Sequence, residues 1–164
     1  MIEPYAFIRA HNEISTVITC MESIQPVIKK GVIGIHPSID GSPDDGTNDF
    51  LANFCRENPG YKLIHYPYPV YPASHPIYKN LSQVPLEQRL DSYYNAVLAE
   101  IPENEWLIKI DCDQIYHPTI LAVLLSKNFD EDVLVWFGRY NLHYDFVSKQ
   151  LFNITNFPIS RQED

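Results

Sequence analysis

The chain has 164 residues, 45% of them hydrophobic, which is typical of one globular domain with its own core. Its formal net charge of −9 argues against nucleic acid or an anionic membrane surface as the main partner. No apolar run is long enough to cross a membrane, and neither a signal peptide nor cysteines at metal-ligand spacing are present, so we expect a cytoplasmic protein.

Short apolar runs predict five β-strands, and apolar residues at helical spacing predict helices between them. The strands are expected at residues 5–9, 32–35, 62–66, 106–110 and 133–137, with further short strands between 140 and 157. The helices are expected at residues 14–28 with an end or kink at Pro26, around 50–54, at 85–101 and at 118–127. Strands that alternate with helices predict an α/β fold with a mostly parallel central sheet flanked by helices.

Residues 67–84 have no regular period and are rich in proline and tyrosine. A loop this long inside a compact domain is more often functional than a passive connector. We therefore expect a flexible, ligand-facing loop there.

Three polar clusters each follow a predicted strand: His11-Asn12-Glu13, Asp40-Gly41-Ser42 and Asp111-Cys112-Asp113. In parallel α/β sheets, ligands bind beyond the carboxyl ends of the strands. The three clusters are therefore expected to converge on one edge of the sheet.

Asp111 and Asp113 lie two apart, a spacing that puts both carboxylates on one side of an extended segment. Hard oxygen ligands of this kind suit Mg²⁺ or Mn²⁺, which would also bind phosphate oxygens of a substrate. The alternative is a capped strand end. The same D-x-D pattern recurs at residues 130–132, where a solvated turn is expected.

Several other candidates have a structural alternative. Asp40 could contact a nucleobase or ribose, or could simply close a tight turn with Gly41. Asn12 is predicted to be the N-cap of the first helix, and Glu13 could complement that helix dipole. Arg9, on a short central strand, is expected to reach a phosphate or carboxylate at the strand end.

Three further polar residues remain open at the sequence level. Asn95 could cap locally or face the ligand edge. His143 is the candidate for a third metal ligand or a donor contact, and His36 is expected at the surface.

Taken in order, the segments AFIRAHNE, GVIG, DGS, SYYNAV and EWLIKIDCDQIY resemble one family. They are similar to the bacterial lipooligosaccharide β-1,4-N-acetylgalactosaminyltransferases, a branch of the GT-A glycosyltransferases. The resemblance runs from about Pro4 to Tyr144 and is most specific between Glu105 and Tyr116. It implies a GT-A, Rossmann-like nucleotide-sugar-binding domain with short carboxyl-terminal strands.

The resemblance also implies roles for individual residues. The donor nucleotide would be contacted by Phe7, Arg9, Glu13, Asp40, Asn95 and Asp111. Asp113 would be the principal ligand of Mn²⁺ or Mg²⁺, with Asp111 and His143 as further candidate ligands.

The implied reaction is inverting transfer of N-acetylgalactosamine, or a related hexose, from a UDP-sugar to a galactose-containing lipooligosaccharide acceptor. We expect residues 1–164 to form a single donor-binding domain, with the acceptor-binding half and the general base outside the chain. A full-length form is expected at the inner membrane face, and the surface left exposed could drive self-association. The alternative is a fragment or pseudo-enzyme that binds the UDP-sugar without transferring it.

Overall fold

The structure, a computed structural model, describes residues 2–130, 133–135, 142–145 and 150–153. It divides into two compact units, residues 1–128 and residues 129–164. The prediction of a single domain over the whole chain stays a prediction.

The first unit is built on a four-stranded sheet in which every described pairing is parallel. Its strands are β1 (Tyr5–Ala10), β2 (Lys30–Ile35), β3 (Tyr61–His65) and β4 (Leu107–Asp111). Their order in the sheet is β3-β2-β1-β4. Four of the five predicted strands are thereby confirmed, together with the α/β, Rossmann-like class expected of a GT-A domain.

Four α-helices flank this sheet: α1 (Ile14–Ile24), α2 (Thr47–Glu57), α3 (Leu90–Leu98) and α4 (Pro118–Leu125). Helix α1 ends before Pro26, as predicted, because proline cannot donate the next helical hydrogen bond.

Side chains of β1 alternate between two hydrophobic clusters, one on each face of the sheet. Ala6 and Ile8 lie with Met21 of α1 in the larger cluster, whereas Phe7 lies with Val97 of α3 in the smaller one. Complete burial of a side chain such as Ile8 stabilises the fold by about 1.5–3 kcal/mol. Burial on both faces explains why β1 reads as a nearly continuous apolar run.

Gly34 allows α3 to lie directly on β2. A Cβ atom at this position would come within 2.3 Å of the Val97 side chain and 2.9 Å of the Tyr93 hydroxyl. Any side chain here would displace α3 from the sheet.

The predicted helix at residues 85–101 is shorter than expected. A 3-10 turn covers Leu86–Gln88, and α3 begins only at Leu90. Arg89 between them is extended, and its guanidinium donates to the carbonyl oxygens of Leu81 and Val84. These bonds interrupt the helical run.

The proline-rich stretch 67–84 is not wholly irregular, because Pro76–Gln83 forms two short 3-10 turns separated by a kink at Asn80. The Tyr78 hydroxyl donates to the carbonyl of Tyr71 and accepts the backbone N–H of Leu90. These contacts close the stretch against the start of α3. The flexibility expected of residues 67–84 stays a prediction.

Asn12 was predicted as the N-cap of α1, and this is wrong. Glu13 takes the cap position, while Asn12 adopts a left-handed backbone with φ of 53°. The first helical amide, that of Ile14, is bound instead by the carboxylate of Asp45 at 3.1 Å. Asp45, which lies 31 positions from Ile14 in the sequence, therefore caps this helix in place of a local residue.

The strand predicted at residues 133–137 is not formed at 133–135, and residues 136–137 lie outside the described part of the chain. In the second unit, β5 (Leu142–Asp145) and β6 (Gln150–Asn153) pair antiparallel, which confirms the short carboxyl-terminal strands. Among the described residues, no helix is long and apolar enough to cross a membrane.

Candidate active site

The strand order places a topological switch point between β1 and β4. The chain runs outward from β1 to β2 and β3, then crosses back to place β4 on the other side of β1. At such a switch point the connections leave neighbouring strands in opposite directions, so a ligand can enter between them. Arg9 and Asp111 are register partners at this point.

The Arg9 side chain lies buried at the switch point and is directed toward Asp111. Its guanidinium donates to Asp111 Oδ1 at 3.2 Å and lies over the Tyr94 ring, 3.6 Å from the centroid. Only 9% of the side chain is exposed, and its Nε has no hydrogen-bond partner within the described residues. Burial lowers the pKa of Arg9, and the Asp111 carboxylate opposes that shift. A desolvated cation of this kind favours an anionic ligand.

The two aspartates of the D-x-D motif lie in different electrostatic surroundings. Asp111 is bound by Arg9 and by Lys109, whose Nζ lies 2.6 Å from Asp111 Oδ2. Asp113 is exposed and makes no hydrogen bond or ion pair in the described part of the chain. Asp111 is therefore paired with two cations of the protein, whereas no cation among the described residues pairs with Asp113.

Glu13 brings a third carboxylate to the same edge. It is half-buried, and the Thr16 hydroxyl donates to Glu13 Oε2 at 3.3 Å. Burial raises the pKa of Glu13; the Thr16 hydrogen bond opposes the shift, and the nearby carboxylates of Asp113 and Asp45 add to it. Glu13 and Asp113 are thus close enough for their charges to interact.

This arrangement fits a divalent ion that is bound together with a substrate. No group of three His, Cys, Asp or Glu side chains within the described residues is placed to hold a metal alone. Mg²⁺ is commonly bound by one or two carboxylates while substrate phosphates and water supply the other ligands. The exposed Asp113 carboxylate, with Asp111 two residues away, supplies a donor set of that kind.

Asp40 closes a tight turn, as its structural alternative predicted. Its Oδ1 accepts the backbone N–H of Ser42 at 3.0 Å, and Gly41 between them has φ of 73°. The amide of Ser42 is the main cause of the lowered pKa of Asp40. The Ser42 side chain also hydrogen-bonds this carboxylate, which is exposed to solvent.

The loops after β1 and β2 are joined to each other at the carboxyl edge. The Asn12 side chain donates to Ser38 Oγ at 3.3 Å, and the ring of His11 stacks on that of His36 with centroids 4.3 Å apart. The predicted convergence of the clusters after β1, β2 and β4 is consistent with these contacts and with the Arg9–Asp111 pair.

Comparison with known proteins decides the family. The sequence profile of the family described as Beta-1,4-N-acetylgalactosaminyltransferase (CgtA) matches residues 1–157. The chain belongs to this family. It is a glycosyltransferase, as the resemblance of its segments indicated. No curated protein and no solved structure matches the chain.

In this glycosyltransferase His36 is less exposed than the sequence suggested. It is half-buried, with its ring edge against Tyr93 at a centroid distance of 4.9 Å. Burial lowers its pKa, so the neutral ring persists to lower pH than usual. The signal that could have revealed this pair is the position of His11 and His36, each directly after one of two adjacent strands.

The described contacts assign no site role to two further predicted residues. Asn95 is exposed on α3, whose buried positions are Tyr93 and Val97, and no side-chain contact joins it to Arg9 or Asp111. His143 lies in β5, where only the backbone is described. The roles of both residues stay predictions.

Sequence reasoning missed Tyr116 and Ser23, both buried beneath the D-x-D motif. Tyr116 accepts the backbone N–H of Asp111 on its hydroxyl and donates its own N–H to Ser23. A tyrosine shortly after a strand end gives no periodic signal, although its place in the EWLIKIDCDQIY segment could have drawn attention to it.

Proposed function

We propose that this glycosyltransferase transfers N-acetylgalactosamine from a UDP-linked donor that binds at the switch point between β1 and β4. The observation that carries the proposal is the contrast between Asp111, held by two cations, and Asp113, which is exposed and has no partner among the described residues. Because the protein and the diphosphate are both negatively charged, a cation is needed between them. The Asp113 carboxylate is available to bind that cation.

Asp113 would hold Mn²⁺ or Mg²⁺, with Asp111 as a second candidate ligand. Bound there, the ion would offset the negative charge that develops on the departing diphosphate. Arg9 contributes a fixed, partly desolvated cation on the same side, and its contact with Tyr94 limits the guanidinium to one orientation. Such preorganised charge lowers the barrier without a reorganisation cost during reaction.

The nucleoside part of the donor would lie along the ends of β1 and β2. Phe7 lies within β1, and Glu13 follows that strand. Asp40 lies in the turn after β2. The Asp40 carboxylate keeps acceptor capacity for a ribose hydroxyl or the uracil N–H. Asn95 would act only if donor binding brings it closer.

The acceptor would be a galactose-containing oligosaccharide, and transfer would invert the anomeric carbon. Inversion in a single displacement requires a base that removes the proton of the acceptor hydroxyl. We assign no described residue to that role.

Titration calorimetry with UDP, with and without Mn²⁺, tests the donor site. We expect affinity to rise at least tenfold with the metal, a difference of about 1.4 kcal/mol in binding free energy. UDP affinity that does not respond to Mn²⁺ would reject the metal assignment, and a failure to bind UDP in either condition would reject the donor site.

Transfer is tested separately by incubating the protein with UDP-N-acetylgalactosamine, Mn²⁺ and a β-galactoside. Proton NMR of the product distinguishes the β linkage expected of inversion from the α linkage of retention. UDP binding without any glycoside product would favour a donor-binding protein over the proposed transferase.

A further inference from the structure

The residues that carry Asp113 form a short connection between β4 and α4, here called the D-x-D segment (residues 111–117). The Gln114 N–H donates to the Asp111 carbonyl at 3.1 Å, which makes a turn around Asp113. The side chain of Tyr116 then closes this turn from below. Its hydroxyl accepts the N–H of Asp111 at 3.3 Å and donates to Gln114 Oε1 at 3.0 Å.

Tyr116 is itself fixed to α1 through Ser23. The Tyr116 N–H donates to Ser23 Oγ at 3.0 Å, and the Ser23 hydroxyl donates to the carbonyl of Cys20 at 2.7 Å. Ser23 and Tyr116 are both 9% exposed. Buried polar groups of this kind are costly to leave unpaired, so the contacts hold the segment in one arrangement.

Cys112 supplies a second attachment. It is buried, with its Sγ 3.6 Å from the carbonyl of Arg9. Every described attachment of the D-x-D segment is thus made by a neighbour of Asp113, and none by Asp113 itself. The carboxylate is held in place through its backbone while its oxygens stay free.

We propose that Tyr116, held by Ser23, is a positioning residue that fixes the D-x-D segment so that Asp113 faces the donor. The assignment of Asp113 to donor binding rests on the proposed function. The order that Tyr116 imposes on the segment rests on the hydrogen bonds alone, and the two can be tested apart.

The test compares Tyr116→Phe with the control Tyr61→Phe. Tyr61 is also buried, and its hydroxyl donates to the carbonyl of Ile28 at 2.7 Å. Each variant loses one buried hydroxyl, but Tyr61 lies at the start of β3, far along the chain from the D-x-D segment. A general loss of stability should therefore be common to both variants.

The first readout is amide hydrogen exchange of peptides that cover residues 111–117, measured by mass spectrometry. We expect Tyr116→Phe to speed exchange in these peptides about three- to tenfold, since the Asp111 N–H loses its acceptor. Tyr61→Phe should leave them unchanged. Equal exchange in the two variants would overturn the proposal.

The second readout is titration with UDP in the presence of Mn²⁺. We expect Tyr116→Phe to weaken binding about three- to tenfold and Tyr61→Phe to leave it at the wild-type value. Faster exchange with unchanged UDP affinity would show that Tyr116 orders the segment without positioning Asp113, and would overturn the proposal.

A wild-type protein that does not bind UDP would reject the proposed function, and the exchange readout would still decide whether Tyr116 orders the segment. If Tyr116→Phe does not fold, Ser23→Ala replaces it, because it removes the acceptor of the Tyr116 N–H and keeps the tyrosine. Ser23→Ala should speed the same exchange, and unchanged exchange would overturn the proposal.

Discussion

Two acidic connections lie at the carboxyl edge of the sheet and use their aspartates differently. In the connection from β2 to α2, Asp44 accepts the amides of Gly46 and Asn48. Asp45 accepts the first amide of α2, that of Thr47, and the first amide of α1, that of Ile14. In the D-x-D segment, Asp113 accepts no hydrogen bond within the described residues. The aspartates at this edge thus fall into two classes. Asp44 and Asp45 stabilise the fold through hydrogen bonds, whereas Asp113 is available to a ligand.

The difference shows why a D-x-D pattern alone is a weak indicator. A carboxylate beside free helical amides binds them, because amides at a helix N-terminus lack a partner within the helix. Asp113 lies five residues before α4, and the amides of Asp111, Gln114 and Tyr116 around it are already bound. A carboxylate becomes available to a ligand when its neighbours satisfy the backbone around it.

Replacing Asp113 should have the largest effect on ligand binding. We expect Asp113→Ala to abolish the effect of Mn²⁺ on UDP affinity, a loss of at least about tenfold or 1.4 kcal/mol. The thermal midpoint should stay near the wild-type value because the exposed carboxylate makes no contact in the described residues. Asp130→Ala, from the second D-x-D pattern, is the matched control, and loss of binding in that variant would mean that the wrong motif was chosen.

Replacing Asp45 should have the opposite profile. Asp45→Ala removes the acceptor for the N-termini of two helices, and each lost cap typically costs about 0.5–2 kcal/mol of stability. Urea denaturation should show a destabilisation of about 1–4 kcal/mol. A fall of UDP affinity without a loss of stability would move Asp45 into the ligand-binding class.

Asp40 should fall between the two classes. We expect Asp40→Ala to weaken UDP binding about two- to fivefold, equally with and without Mn²⁺, because one hydrogen bond to the nucleoside is lost. Calorimetry in both conditions checks this. A loss that occurs only with the metal would place Asp40 at the diphosphate instead of the nucleoside.

The smallest expected effect is a difference in pH dependence between Glu13 and Asp45. The pKa of Glu13 is raised by burial, so the folded state holds that proton more tightly than the unfolded chain does. Its contribution to stability is complete below the unfolded pKa of about 4.3 and is lost as the pH rises through the folded-state value. In urea denaturation with EDTA, Glu13→Gln should therefore gain stability relative to wild type as the pH rises from 4 to 7.

Asp45 should behave in the reverse sense. Desolvation opposes the shift, but the hydrogen bonds from Thr47 and Ile14 outweigh it and lower the pKa. The stability that Asp45 contributes is present above its unfolded pKa and is lost as the pH falls through the folded-state value. The advantage of wild type over Asp45→Asn should shrink below pH 4, and an advantage that grows there would contradict the assignment.

The strands of the sheet and the edge that carries the polar clusters followed from the sequence because their signals are local. Apolar runs mark β1 and β4, and parallel connections place the polar residues after them at one edge. Arg9 and Asp111 could be expected there on that basis alone. The activity was predicted from the resemblance to a known family, because hydrophobic periodicity carries no information about function.

The parts that escaped prediction depend on contacts between distant residues. Ser23 and Tyr116 are 93 positions apart, and Asp45 reaches Ile14 across 31 positions. Hydrophobic period and local propensity do not report such pairs. Asn12 was misassigned for the same reason. Asparagine is a favourable N-cap residue, but the carboxylate of the distant Asp45 binds the first helical amide instead.

The position of β4 beside β1 has a consequence for the order of folding. Strands β1 and β2 can pair after a short connection, whereas Arg9 and Asp111 must meet across 102 positions. Distant pairings close the longest loops and tend to form slowly. The β1–β4 pairing is therefore expected to be among the last features of the sheet to form, and a nucleotide that binds at the ends of these strands would stabilise molecules in which that pairing is complete.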